Sequence, residues 1–215
     1  MKTLSVAIAI VALTASLAPS HASAQTPESA AVVLRFRQLG DTVPLARGHV
    51  DFGVQFAGGQ PESSARNITR FGARIGVADR VDLGAWGGYS SVMNDGMAGV
   101  DVKVALVRQS ASMPISISVR PSFSTTLGAS DRWAANTGVD LSISRAYGRF
   151  APYAGVAATS SLVTEHLLNL DPERDTTGHT LSFAGLNYTW RSLVAAVEVE
   201  KGTKVSYAFR LGTRF

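Results

Sequence analysis

The chain ends Val205-Ser206-Tyr207-Ala208-Phe209-Arg210-Leu211-Gly212-Thr213-Arg214-Phe215, and the reading of this stretch decides the fold. Val205, Tyr207, Phe209, Leu211, Thr213 and Phe215 share one parity; Ser206, Ala208, Arg210, Gly212 and Arg214 share the other. Successive side chains leave a pleated backbone on opposite sides, so an unbroken period of two marks a strand between two unlike surroundings. One face here is bulky and apolar, and the other is small or charged.

The same pattern recurs upstream. Val100, Val102, Val104 and Leu106 lie opposite Asp101 and Lys103. Ile115, Ile117, Val119 and Phe123 alternate with Ser116, Ser118, Arg120, Ser122 and Ser124. Val139, Leu141 and Ile143 alternate with Asp140, Ser142 and Ser144, and Leu193, Ala195, Val197 and Val199 with Ala196, Glu198 and Glu200. The repeats predict ten strands, at 47–57, 66–77, 81–90, 98–108, 115–125, 136–145, 150–160, 179–190, 193–201 and 204–215. Eight is the runner-up, with two weaker segments as loop. Tilted strands of roughly ten residues cross the hydrocarbon layer, whereas no apolar run is long enough for a transmembrane helix.

Tight turns are predicted at 78–80, 146–149 and 191–192, and the longest link at 161–178. With both chain ends in the periplasm, the tight turns fall on that side and the long link outside, which requires an even strand number. Two features fit poorly. Pro121 removes a ladder hydrogen bond and predicts a bulge or local break. Residues 30–38, with Val32, Leu34 and Phe36, would make an odd extra strand, so they are read as outside the barrel.

The 215 residues suit one domain. Charged residues make up 17%, below the roughly 25% of soluble domains. The absence of cysteine excludes disulfides and thiolate metal sites. The net charge of +4 is dispersed and forms no basic stripe, which argues against nucleic acid as a partner. Lys2, the apolar residues 4–17 and Ala22-Ser23-Ala24 read as a secretion signal over 1–24, cleaved between Ala24 and Gln25. Residues 25–45 are then expected to be a periplasmic extension or plug, and 46–215 the barrel domain.

Alternation alone suits a membrane barrel or a soluble, lipocalin-like one. Three observations favour lipid outside. Gly53, Gly72, Gly76, Gly84, Gly88, Gly138 and Gly212 share the polar parity, where small residues relieve crowding in a narrow lumen. On the same parity Arg70, Arg74, Lys103, Arg120, Arg210 and Arg214 face Asp51, Asp82, Asp101, Asp140, Glu198 and Glu200. Such matched sets suit a paired lumen charge network. Finally, Phe56, Tyr89, Phe123 and Tyr207 lie near one set of strand ends, and Phe150, Tyr188, Trp190 and Phe215 near the other, as two aromatic girdles would.

With its aromatic last residue, leader and strand repeats, the chain resembles the small β-barrel proteins of Gram-negative outer membranes over most of its length. The transmembrane domain of outer membrane protein A typifies them; no subfamily is singled out. The resemblance implies an all-β, closed, antiparallel up-and-down transmembrane barrel. It also implies periplasmic chaperones and a barrel-assembly machinery reading Tyr207, Phe209, Leu211 and Phe215. Outer-membrane lipid and lipopolysaccharide would surround it, and a monomer is the expected state.

Some small barrels of this kind are lipid-modifying or proteolytic enzymes, which need a base beside a nucleophile or acid. This mature chain offers His49, His166 and His179, with Glu165, Glu173, Asp175, Ser160 and Ser161 near the latter two. Their spacing matches no triad or zinc motif, so no catalytic residue, metal or cofactor is expected. The reading is a non-enzymatic barrel serving envelope structure or surface interaction. The alternatives are a narrow, porin-like pore for small solutes, an enzyme working from the 161–179 loop, and a soluble periplasmic carrier.

Overall fold

A computed structural model describes residues 45–59, 68–91, 95–127, 132–165, 173–202 and 205–215. It contains β1 (Val50–Gly59), β2 (Ile68–Ala78), β3 (Val81–Ser90), β4 (Asp95–Val107), β5 (Ser116–Thr126), β6 (Arg132–Ser144), β7 (Phe150–Glu165), β8 (Glu173–Trp190), β9 (Leu193–Lys201) and β10 (Val205–Arg214). Each strand pairs antiparallel with the next, and β1 closes onto β10, giving a ten-stranded up-and-down barrel. At the seam Val50 and Phe215 exchange backbone hydrogen bonds of 3.0 and 2.8 Å. The last residue of the chain thus completes the ring and leaves no sheet edge there.

Each strand carries an inward and an outward set, as the alternating burial shows: in β9, Val194, Ala196, Glu198 and Glu200 are buried, and their neighbours are exposed or half-buried. At the end bearing both described termini, three of the turns are tight: 79–80 between β2 and β3, 145–149 between β6 and β7, and 191–192 between β8 and β9. Gly148 takes φ 60° between β6 and β7, and Arg191 takes φ 55° between β8 and β9. The longer link 108–115 is tied to its neighbour by Gln109, whose side-chain oxygen accepts from the Ala146 amide at 2.7 Å and whose NH₂ donates to the Ala146 carbonyl at 3.1 Å.

One expectation is corrected. Residues 161–178 are not mainly a loop: β7 and β8 stay paired from Phe150–Tyr188 out to Glu165–Glu173, leaving only 166–172 as the link. That link is shorter than 108–115 at the opposite end, so the expected length asymmetry between the two ends is weaker. The physical reason is that Ser- and Thr-rich strand beyond the lipid needs no apolar face, while threonine still favours extended backbone. At Pro121, where a bulge or local break was expected, the ladder shows a local break. Its pairing with Val139 on β6 is regular, but on the β4 side pairing lapses between Asp101–Ser122 and Val104–Val119. The irregularity in that ladder lies further along, between Ala105 and Val107. Residues 30–38 lie outside the described residues.

Candidate functional site in the lumen

The two faces of the wall have opposite chemistry. Outward, every strand exposes large apolar side chains, among them Phe56, Phe71, Leu83, Val100, Phe123, Leu141, Val156, Leu186, Val197 and Leu211. Inward, the buried side chains are mostly polar or charged. A barrel dissolved in water distributes its residues the other way. This is a barrel turned inside out for lipid.

The lumen of this transmembrane barrel holds the charged set named from the sequence. Asp51, Arg70, Arg74, Asp82, Asp101, Lys103, Arg120, Asp140, Glu198, Glu200 and Arg210 are all buried, and Arg214 is partly open at the terminus-bearing mouth. Register decides which groups meet. Asp82 lies opposite Lys103 across β3 and β4, and their ion pair is 2.9 Å. Arg120 lies opposite Asp140 across β5 and β6, with Nε donating at 2.9 Å. Asp51 takes both Arg210 and, at 3.2 Å, Arg214 from β10. Arg74 reaches past β3 to Asp101 on β4 at 2.5 Å, across the intervening Gly84, where a Cβ would sit 2.7 Å from Asp101 Oδ2 and crowd the pair. Glu200 accepts from the Ser206 hydroxyl at 3.1 Å. Charges buried this deeply are held by their counterions, since neither is stable alone in a low-dielectric interior.

A second part of the lumen is apolar, and the sequence reading missed it. Tyr153, Ala157, Leu181 and Phe183 form a buried cluster on β7 and β8, with ring centroids of Tyr153 and Phe183 6.3 Å apart. Their rings lie over glycines: a Cβ on Gly185 would meet the Tyr153 ring at 2.5 Å, and one on Gly155 would collide with Phe183. Trp86 likewise lies across Gly99, and the Arg70 guanidinium sits 4.5 Å above the indole. The available signal was parity, because each ring shares its face with a glycine two residues along its own strand.

The terminus-bearing mouth is occupied by the chain itself. Leu45 is 2% exposed, and its amide donates to both oxygens of Asp82 at 3.1 and 3.2 Å. Gly48 donates to the Gly76 carbonyl at 2.7 Å, and Gly76 donates back to His49 at 3.0 Å. Of the stretch 25–45, read as an extension or plug, only Leu45 is described; the remainder, with the cleavage residues Ala22 and Ala24, lies outside the described residues. Tyr207, Phe209, Leu211 and Phe215 all point outward and are exposed.

His49 is exposed beside the terminus-bearing mouth, while His179 is half-buried on β8 opposite Thr159. His166 and the side chains of Glu165, Glu173 and Asp175 lie outside the described residues. Ser161 donates to the Asn136 side-chain oxygen. Among the described residues no group of three or more His, Cys, Asp or Glu side chains is placed to hold a metal ion.

No family model matches the chain, and no curated protein does. Among solved structures, the chain is similar to the N-terminal β-barrel domain of OprF from Pseudomonas aeruginosa, at 11% identity over 80% of this chain and 100% of that one, with a TM-score of 0.39. The outer membrane protein Ail of Yersinia pestis in a bilayer nanodisc matches at 10% identity over 79% and 100%, with a TM-score of 0.40. The translocator domain of the autotransporter NalP from Neisseria meningitidis matches at 11% over 80% and 89%, with a TM-score of 0.41. These neighbours are Gram-negative outer-membrane barrels, and none singles out a subfamily. The assignment of the outer face to lipid comes from the chain's own two faces.

Proposed function

We propose that the protein is an integral outer-membrane barrel, exported through cleavage after Ala24, that is closed to solutes. Its work is done by its wall and its outer links, as an envelope component and a surface for outside partners, without catalysis. The observation that carries this reading is the filled lumen. Four buried ion pairs line its wall, Arg74–Asp101, Lys103–Asp82, Arg120–Asp140 and Arg210–Asp51, the Tyr153–Phe183 cluster fills one side, and Leu45 is bonded into the mouth at Asp82. A selectivity filter requires charges lining water, whereas these charges neutralise one another.

Single-channel recording of the purified barrel in planar bilayers tests the reading. The expected trace shows no steady conductance above background. A stable conducting level would replace this reading with that of a narrow pore. A catalytic role for the 161–179 segment predicts that replacing both His166 and His179 abolishes a lipid A or protease phenotype; the present reading predicts no change.

A further inference from the structure

The wall is uneven at the end away from the termini. β9 pairs with β8 only between Trp190 and Ser182, because Lys201, the partner of Ser182, also pairs with Val205 of β10 as the chain turns back. β8 continues outward to Glu173, paired on its other side with β7 all the way. Among the described residues, none pairs with residues 173–181 on the β9 side. Among the described residues this end of β8 is therefore an unpaired sheet edge.

Which backbone groups face the opening follows from the ladder. The Thr189 amide donates to Arg149 on the β7 side at 2.8 Å. In antiparallel pairing the backbone groups of successive residues point to alternate sides. Those of Thr177, His179 and Leu181 thus engage β7, and those of Thr176, Gly178 and Thr180 face the gap. Sheet edges are ordinarily guarded by proline, lysine or a bulge. Residues 176–181, Thr-Thr-Gly-His-Thr-Leu, contain neither residue, and their register with β7 runs without a shift.

We propose that this edge takes up an extended segment of a partner protein as an added strand beside β8. A row of alternating amides and carbonyls at strand spacing is matched by another extended backbone, and not by a lipid or a small ion. On the outward face the flanking side chains are Thr176 and Thr180, with Gly178 between them, all exposed. Gly178 leaves a gap in that row, so the incoming strand is one of β-branched residues with a single large, aromatic side chain beside the glycine. The placement of this edge outside the cell rests on the reading above, in which both termini are periplasmic.

The test is amide hydrogen exchange on the full-length barrel in nanodiscs, with an acetylated peptide of alternating Thr and Val bearing one central Phe as the probe. In the free protein the amides of Thr176, Gly178 and Thr180 are expected to exchange at least about tenfold faster than those of Thr177, His179 and Leu181. The probe should slow the first set by about tenfold or more and leave the second set unchanged. Thr176→Pro with Thr180→Pro removes two edge amides while sparing the bonds to β7, and should abolish the slowing in a barrel that still migrates as folded. Equal protection of both sets in the free protein would mean that the chain covers its own edge, and would overturn the proposal. So would exchange unaffected by the probe, or slowing that survives the proline variant. Sidedness is read separately with Gly178→Cys and a membrane-impermeant maleimide on intact cells. Labelling supports an outside partner, and a protected cysteine overturns the orientation while the nanodisc result still judges the edge.

Discussion

The carboxylate of Asp101 on β4 meets the guanidinium of Arg74 on β2 at 2.5 Å, over the glycine of the strand that separates them. The contact joins alternate strands, so it braces the wall across its curvature as well as neutralising two buried charges. The glycine at position 84 leaves room for it, since a Cβ there would crowd both charged groups.

Asp101→Leu removes a counterion of Arg74 and is expected to cost about 3 kcal/mol. The double variant Arg74→Met, Asp101→Leu should recover most of that loss, because two apolar groups replace a matched pair. Urea unfolding in lipid vesicles reads both. A double variant no more stable than the single one would mean that the pair is not what Asp101 contributes.

Gly76 lies against the clip formed by residues 45–49, where a Cβ would collide with the Ala46 carbonyl. Gly76→Val should push Leu45 out of the mouth. With a cysteine at position 45, labelling by a soluble maleimide is expected to accelerate about tenfold in the Gly76→Val background. Unchanged labelling would show that the clip does not depend on this contact.

These two contacts also show how far the sequence could be read. Strand periodicity located the charged face because side chains alternate strictly along a pleated backbone, and Asp101 and Arg74 share the lumen parity with the glycines. Their pairing was not legible, since it depends on register across three strands. The same holds for Tyr153 and Phe183, whose rings pack inside over Gly185 and Gly155 of the facing strand. The outer parts of β7 and β8 read as loop because nothing beyond the bilayer enforces an apolar face there. For the histidines, spacing offered no site, and the structure sets His49 at the terminus-bearing mouth and His179 well along β8.

Val100 lies midway along β4, outward and 54% exposed. On a surface bathed in water Val100→Lys would be nearly neutral. Against hydrocarbon it is expected to cost about 2–4 kcal/mol at the midplane. Folding titrations in vesicles would measure this, and a loss well under 1 kcal/mol would argue that this face does not meet lipid.

Phe215 bonds to Val50 through both its amide and its carbonyl, and its exposed ring lies at the terminus-bearing rim. Deleting it removes the last pair of the seam along with the aromatic end of β10. Cells carrying the deletion are expected to show sharply reduced folded barrel and accumulation of unassembled chain, read by surface labelling. Normal surface levels would remove the C-terminus from the assembly account.

The most direct test of the central claim, that the wall faces lipid outside and buries paired charge inside, is a gel of the outer-membrane fraction run in SDS with and without boiling. The account predicts a band in that fraction whose mobility shifts on boiling, as a detergent-resistant closed barrel unfolds. A protein recovered in the soluble periplasmic fraction, with the same mobility before and after boiling, would contradict it.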